Sequence, residues 1–200
     1  IDLDAVRYNM ESMHKNINKD TKMVAVVKTN GYGHGAMRIS REVEDLSYLW
    51  GYAVATVDEA EELIEDGRTK PILVLGITFP DQFETIVDED IRPAISGLEA
   101  AKALSDVAVN KEKMWFVHIA VDTGMSRIGF QVTEENADII AQIAALPNIN
   151  IEGIFTHFAR ADEVSKEPAY AQMALFQKMI DMLEERGIKI PLHHCSNSAG

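Results

Sequence analysis

Two hundred residues, 46% hydrophobic and only 7% aromatic, supply enough apolar material for a core and describe a soluble α/β chain. A net charge of −13 excludes the basic surface that a nucleic-acid backbone demands, and no apolar run approaches the roughly 20 residues needed to span a bilayer. The one cysteine, Cys195, excludes an internal disulfide, and with no charged-then-apolar leader at the start it fits a reducing, cytoplasmic setting.

In chain order, apolar runs alternate with stretches of helical periodicity. Strands are predicted at Met23 to Lys28, Trp50 to Thr56, Ile72 to Gly76, Ile91 to Ser96, Met114 to Asp122, Ile151 to His157 and Leu192 to Asn197. Thr56 with Glu59, and Ser96 with Glu99, carry the capping-box spacing that starts a helix directly after a strand. Gly67 and Gly187 mark helix ends, and Pro168 suits a first helical turn. Met173, Phe176, Ile180 and Leu183 fall on one face of the last helix, while the acids from Asp58 to Asp66 and at Glu184-Glu185 read as solvated helix surface. No repeat, low-complexity tract or linker divides the chain, so residues 1–200 read as one domain. Because it opens at Ile1 rather than methionine and stops in a loop at Gly200, the expectation is a piece of something longer.

Strand, loop and helix repeated seven times predict a parallel sheet with helices outside. Seven strands are one short of a closed (β/α)8 barrel; periodicity alone leaves a doubly wound open sheet as the alternative.

Both folds keep their chemistry at the C-terminal ends of strands. There the first strand offers Lys28, followed by Thr29-Asn30-Gly31-Tyr32-Gly33-His34-Gly35, and the fifth offers Asp122-Thr123-Gly124-Met125-Ser126-Arg127-Ile128-Gly129. The sixth offers Thr156-His157-Phe158-Ala159 and the seventh Ser196-Asn197-Ser198. A strand-end lysine can condense with an aldehyde cofactor, pyridoxal phosphate above all, or can simply snorkel to water. Tyr32, Ser198 and the glycine-rich backbone suit a phosphate, Arg127 suits an oxyanion or carboxylate, and His157 suits stacking on or donating to a pyridine ring. Singly, His157 reads as a packed core histidine and Arg127 as a surface ion-pair partner; their coincidence carries the signal. His193-His194-Cys195 lacks a further ligand at metal spacing, so no metal site is expected, and Cys195 reads as a small buried apolar residue. The glycine turn matches neither a Walker loop nor a dinucleotide fingerprint, and His34, Met125 and His118 acquire no role.

Val27 to Gly35 resembles the pyridoxal-lysine motif V-K-A-N-A-Y-G-H-G of the bacterial alanine racemases, and Asp122 to Gly129 resembles their D-T-G-M-x-R-x-G motif. The likeness continues through Ile1-Asp2-Leu3-Asp4, Thr156-His157-Phe158-Ala159 with Ala161-Asp162, and Asn197-Ser198-Ala199. The resemblance implies an N-terminal pyridoxal 5'-phosphate-binding (β/α)8 TIM-type barrel, cut before its last strand, with a C-terminal β domain absent. It implies a cytoplasmic head-to-tail homodimer that interconverts L-alanine and D-alanine by two-base proton transfer and supplies D-alanine for peptidoglycan. Carried over, Lys28 is the Schiff-base lysine and one catalytic base. Tyr32 and Ser198 are phosphate-site residues, and Arg127 serves the cofactor's phenolic oxygen and the substrate carboxylate. His157 lies beside the pyridine ring, and Asn197 belongs to the cofactor-lining N-S pair.

Departures from the family pattern are informative. Ala120 stands where several members carry a carbamylated lysine that supports the motif arginine, and Thr29 and Gly31 replace the usual alanines. The family's pyridine-nitrogen arginine and second catalytic tyrosine would lie beyond Gly200, so the 200-residue piece by itself is expected to be inactive. A racemase for another small amino acid such as serine, and a non-catalytic single-barrel pyridoxal-phosphate protein, remain as alternatives. A degenerate scaffold is disfavoured by Lys28, Arg127 and His157 occurring together.

Overall fold

The structure, a computed structural model, describes residues 1–200. They form two compact units, one of residues 1–78 and 84–92, the other of residues 79–83 and 93–200.

The first unit contains α1 (Leu3–Lys15), β1 (Met23–Val26), α2 (Lys28–Tyr32), α3 (Ala36–Val43), β2 (Leu49–Val54), α4 (Val57–Glu65), β3 (Ile72–Val74) and most of α5 (Phe83–Asp88). The strands run parallel in the order β1-β2-β3, so their C-terminal ends share an edge. Helix α4 buries Val57, Ala60 and Leu63, one stripe at helical spacing, and all three residues of β3 are buried, as a parallel strand requires. Thr56 caps α4 as its sequence predicts, accepting from the Glu59 amide at 3.3 Å, and the helix ends with Arg68 N–H donating to Leu63 at 3.0 Å across Gly67.

The second unit holds the end of β4 (Ile91–Ile95), α6 (Leu98–Asn110), β5 (Trp115–Asp122), β6 (Phe130–Gln131), α7 (Glu134–Ala144), β7 (Ile149–His157), α8 (Glu167–Glu185) and β8 (Leu192–Ser196). Parallel strands follow the order β4-β5-β7-β8, with β6 paired to β5 off that path. Val117, Ile119 and Val121 alternate along β5 and are fully or nearly fully buried, as are Leu104 of α6, Ile140 and Ile143 of α7, and Phe176 and Met179 of α8. No helix is long and apolar enough to cross a membrane.

All seven predicted strands form, each within two residues of its expected limits; the two-residue β6 is additional. Two details differ. Ser96 does not cap α6, because the helix begins at Leu98 with Gly97 as its N-cap, which places the Ser96 hydroxyl one residue too early; Glu99 pairs with Lys102 at 2.8 Å instead. Met173 is 43% exposed rather than on the core face of α8, and the buried residue at that level is the polar Gln172, 6% exposed.

Tyr52 of β2 is fully buried, and its hydroxyl lies 2.8 Å from the Ser40 carbonyl and 2.5 Å from the Glu44 carboxylate. Burial, then the facing Glu44, raise the phenol well above its ordinary pKa, so it remains a donor throughout the accessible pH range. Tyr52→Phe removes that donor from beneath a carboxylate and is expected to cost about 1–3 kcal/mol, read as a lower urea midpoint at unchanged m-value.

Candidate active site

In the first unit, β1 hands the chain to Lys28, and the next four residues coil the wrong way. Thr29, Asn30, Gly31 and Tyr32 all adopt left-handed conformations, with φ of 54°, 51°, 62° and 55°. For the three that are not glycine this costs about 1–2 kcal/mol each, so the turn persists only because its surroundings hold it. Gly31 N–H donates to Val27 at 2.7 Å, Gly33 N–H to Thr29 at 2.9 Å and Gly35 N–H to Asn30 at 2.9 Å. Asn30 Oδ1 accepts from the Ala36 amide, the first of α3, at 2.9 Å. The Thr29 amide donates to Glu59 Oε1 of α4 at 2.6 Å. Gly31 is buried, and a Cβ there would lie 3.1 Å from Ile39 Cδ1 and 3.2 Å from the Ala36 amide, which restricts the position to the smallest residues. The product is a half-buried Lys28 whose Nζ has no hydrogen-bond or ion-pair partner and lies 5.9 Å from the ring centre of the exposed Tyr32.

In the second unit, Arg127, His157, Asn197 and Ser198 come to the C-terminal ends of β5, β7 and β8. Asp122 Oδ1 accepts from the Gly124 and Ser126 amides at 3.0 and 2.9 Å, which folds the Arg127 loop back so that Phe130 pairs with Val121. The return requires Gly129, where a Cβ would fall 2.7 Å from the Asp122 nitrogen and 2.8 Å from the Val121 carbonyl carbon. Arg127 is exposed at the tip and its guanidinium is unpaired. His157 ends β7, half-buried and in register with Ser196. Asn197 commits both ends of its amide to backbone, donating to the Phe158 carbonyl at 3.0 Å and accepting from the Ala199 amide at 2.9 Å; Ser198 is exposed with no partner.

Sequence reasoning misses the network beneath these residues. Gln172 donates through Nε2 to Thr123 Oγ1 at 3.1 Å and to the His157 carbonyl at 3.2 Å, and accepts from the Ala159 amide at 2.9 Å. Thr123 and Thr156 share a 2.7 Å hydrogen bond, and Thr156 Oγ1 lies 2.9 Å from the Val121 carbonyl. One buried amide thus ties the root of the Arg127 loop to the end of the His157 strand. The only signal in the sequence is a glutamine directly before the predicted apolar stripe of α8. Gln172→Leu strips the His157 carbonyl and Ala159 amide of their partner at once, and is expected to lower stability by about 2 kcal/mol or more in urea unfolding.

His118 and His194, given no role by the sequence, form a second buried group. Their Nδ1 and Nε2 are 2.8 Å apart, His194 stacks on Phe155 at 5.0 Å, and Glu152 reaches His118 Nε2 at 3.4 Å. Burial, reinforced by His118 and His193, pushes His194 from 6.5 down to about 3. The folded state therefore holds His194 neutral where the unfolded chain takes up a proton, so its contribution is present above pH 6.5 and is lost as pH falls towards 3. His194→Gln should flatten the fall in urea midpoint between about pH 7 and pH 5 relative to the parent.

Each unit by itself offers groups whose chemistry fits pyridoxal phosphate: the first an amine free of ion pairing at Lys28, suited to a carbonyl carbon, with the exposed Tyr32 hydroxyl, and the second the exposed Ser198 hydroxyl and the unpaired Arg127 guanidinium, suited to anionic oxygens. The class of protein so defined is a parallel α/β protein with a strand-end lysine in one unit and exposed, unpaired polar groups past the strand ends of the other.

The chain belongs to the alanine racemase N-terminal domain family, whose profile matches residues 1–200. It is 44% identical over 199 residues to the alanine racemase of Clostridium tetani, covering 100% of this chain and 51% of that protein. The alanine racemase structure from Clostridium difficile 630 superposes with a TM-score of 0.95 at 40% identity, covering 98% of this chain and 51% of that one. The Bacillus anthracis alanine racemase with bound L-Ala-P gives 0.92 at 31% identity over 100% of this chain and 51% of that one. The fold is thus the racemase barrel domain rather than a doubly wound sheet, and the chain spans about half the length of the curated relatives it matches.

Proposed function

We propose that the whole protein to which these residues belong is a pyridoxal 5'-phosphate-dependent racemase that interconverts L-alanine and D-alanine. The observation that carries the reading is Lys28, an unpaired amine delivered by a strained left-handed turn at a strand end, in a chain of the alanine racemase family. Lys28 would hold the cofactor covalently, Tyr32 and Ser198 would donate to its phosphate, and His157 would support its ring. Asn197 acts by holding the Phe158 and Ala199 backbone beside Ser198. When bound, the cofactor supplies an electron-withdrawing ring that stabilises negative charge at the substrate Cα.

Arg127, with no internal carboxylate to release, binds the carboxylate of the amino acid and fixes its Cα. Lys28 Nζ would remove or return the Cα proton on one face. Inversion needs a second acid–base group on the opposite face, because one base restoring the proton where it was found changes nothing. We assign that second group to the remainder of the protein, and with it a homodimer acting in the cytoplasm whose D-alanine enters peptidoglycan. The family resemblance supports these assignments.

Chiral analysis of L-alanine and L-serine incubated with the full-length protein and pyridoxal phosphate tests the reading. Conversion of alanine is expected, with Lys28→Ala abolishing both turnover and the visible absorbance of lysine-bound cofactor. Retained absorbance and turnover in Lys28→Ala would sink the assignment. Preferred conversion of serine would move the substrate, and absorbance without conversion would favour a non-catalytic carrier.

A further inference from the structure

We propose that Glu59 is the positioning residue of Lys28: its carboxylate fixes the peptide that joins Lys28 to Thr29 and so sets the direction in which the lysine side chain leaves the strand. The inference rests on the reading of Lys28 as the cofactor-anchoring residue.

Glu59 is the third residue of α4, and Thr56 caps its amide. A glutamate at that position ordinarily bends back to the N–H of the capping residue. Here it does not. Oε2 instead accepts from the Ala55 amide at 2.7 Å, one residue before the cap, and Oε1 crosses to the Thr29 amide at 2.6 Å, thirty residues away in the chain. Both oxygens are taken by backbone N–H groups at the short end of the charge-assisted range, and no cation pairs with the carboxylate.

The Thr29 N–H belongs to the same rigid peptide plane as the Lys28 carbonyl. Holding that N–H fixes ψ of Lys28 on one side and the left-handed φ of 54° at Thr29 on the other. The Ala55 amide is the second anchor, at the end of β2, the strand paired with β1. Glu59 therefore spans two adjacent strand ends and refers the lysine's peptide to the sheet. Thr29 is exposed, so water can replace the carboxylate as acceptor. That separates position from stability: removing Glu59 releases the peptide while leaving the exposed Thr29 amide to water, and the only other group to lose its acceptor is the Ala55 amide, which is part-buried rather than buried.

The test uses full-length Glu59→Gln and Glu59→Ala, with Thr56→Ala as a control that weakens the α4 cap and leaves the Glu59 bonds in place. In the cofactor-free protein, amide hydrogen exchange across residues 28–33 is expected to quicken at least tenfold in both Glu59 variants and not in Thr56→Ala. With pyridoxal phosphate, the Glu59 variants are expected to bind about tenfold or more weakly, the size of a lost charge-assisted hydrogen bond, and to show a shifted pH dependence of the lysine-bound absorbance. Their kcat should fall more than KM for alanine changes, with melting temperatures close to the parent's. Unchanged exchange, affinity and spectrum in Glu59→Gln and Glu59→Ala would overturn the proposal, as would equal losses in Thr56→Ala. Lys28→Ala that kept the absorbance would instead defeat the reading of Lys28, and the exchange result would still judge Glu59 by itself.

Discussion

Chains leaving a parallel strand for a helix normally turn in the right-handed sense, and this one turns left-handed for four consecutive residues immediately after Lys28. Everything in the first unit's functional edge follows from holding that turn. A backbone with positive φ throughout directs its N–H groups away from the strand ladder, and each needs an acceptor. Asn30 tolerates the conformation and uses its side chain to receive the first amide of α3. Gly31 supplies the absence of a side chain where α3 presses closest, and Glu59 reaches from α4 for the Thr29 amide. The short turn is thereby braced from two helices, and the amine it presents belongs to a rigid element rather than to a free loop.

The two kinds of polar group at these strand ends are sharply divided. Buried ones are satisfied: Thr123, Thr156 and Gln172 form a closed network with the Val121 and His157 carbonyls and the Ala159 amide. The Lys28 amine, the Tyr32 and Ser198 hydroxyls and the Arg127 guanidinium have no hydrogen-bond or ion-pair partner. A group already paired within the fold must lose a bond before it gains one from a ligand, which these groups need not do, and in the second unit the satisfied network holds the root of the Arg127 loop and the end of β7 in place.

The parts of this arrangement legible in the sequence are those encoded by neighbours. The seven strands, the Thr56 cap and the Gly67 and Gly187 stops depend on residues a few positions apart, and periodicity exposes them. Lys28 and Arg127 stand out because strand ends and glycine-rich turns are local patterns too. Glu59 does not, since its signal as a capping residue is the same whether it bends back to Thr56 or crosses thirty residues to Thr29. Gln172 is hidden for a related reason: helical periodicity selects apolar residues and so puts Met173 on the buried face, while the packing there demands a donor and an acceptor for strand-end backbone. The His118 and His194 pair spans 76 residues and becomes visible only once β5, β7 and β8 are side by side.

Ala120 gives the chain a feature of its own. It is 1% exposed on β5, seven residues before Arg127, and offers only a methyl group where several members of the family it resembles carry an anionic support for their arginine. The backbone under Arg127 is nevertheless fixed: Asp122 clamps two amides of the loop, Gly129 permits its close return, and Phe130 pairs back onto β5. The structure therefore anchors the loop and leaves the guanidinium itself unrestrained. Under the proposed role, such an arginine loses no internal ion pair on meeting a carboxylate, but it must surrender side-chain entropy that a supported arginine has already lost in folding, so that on this proposal the orientation of Arg127 falls to the ligand.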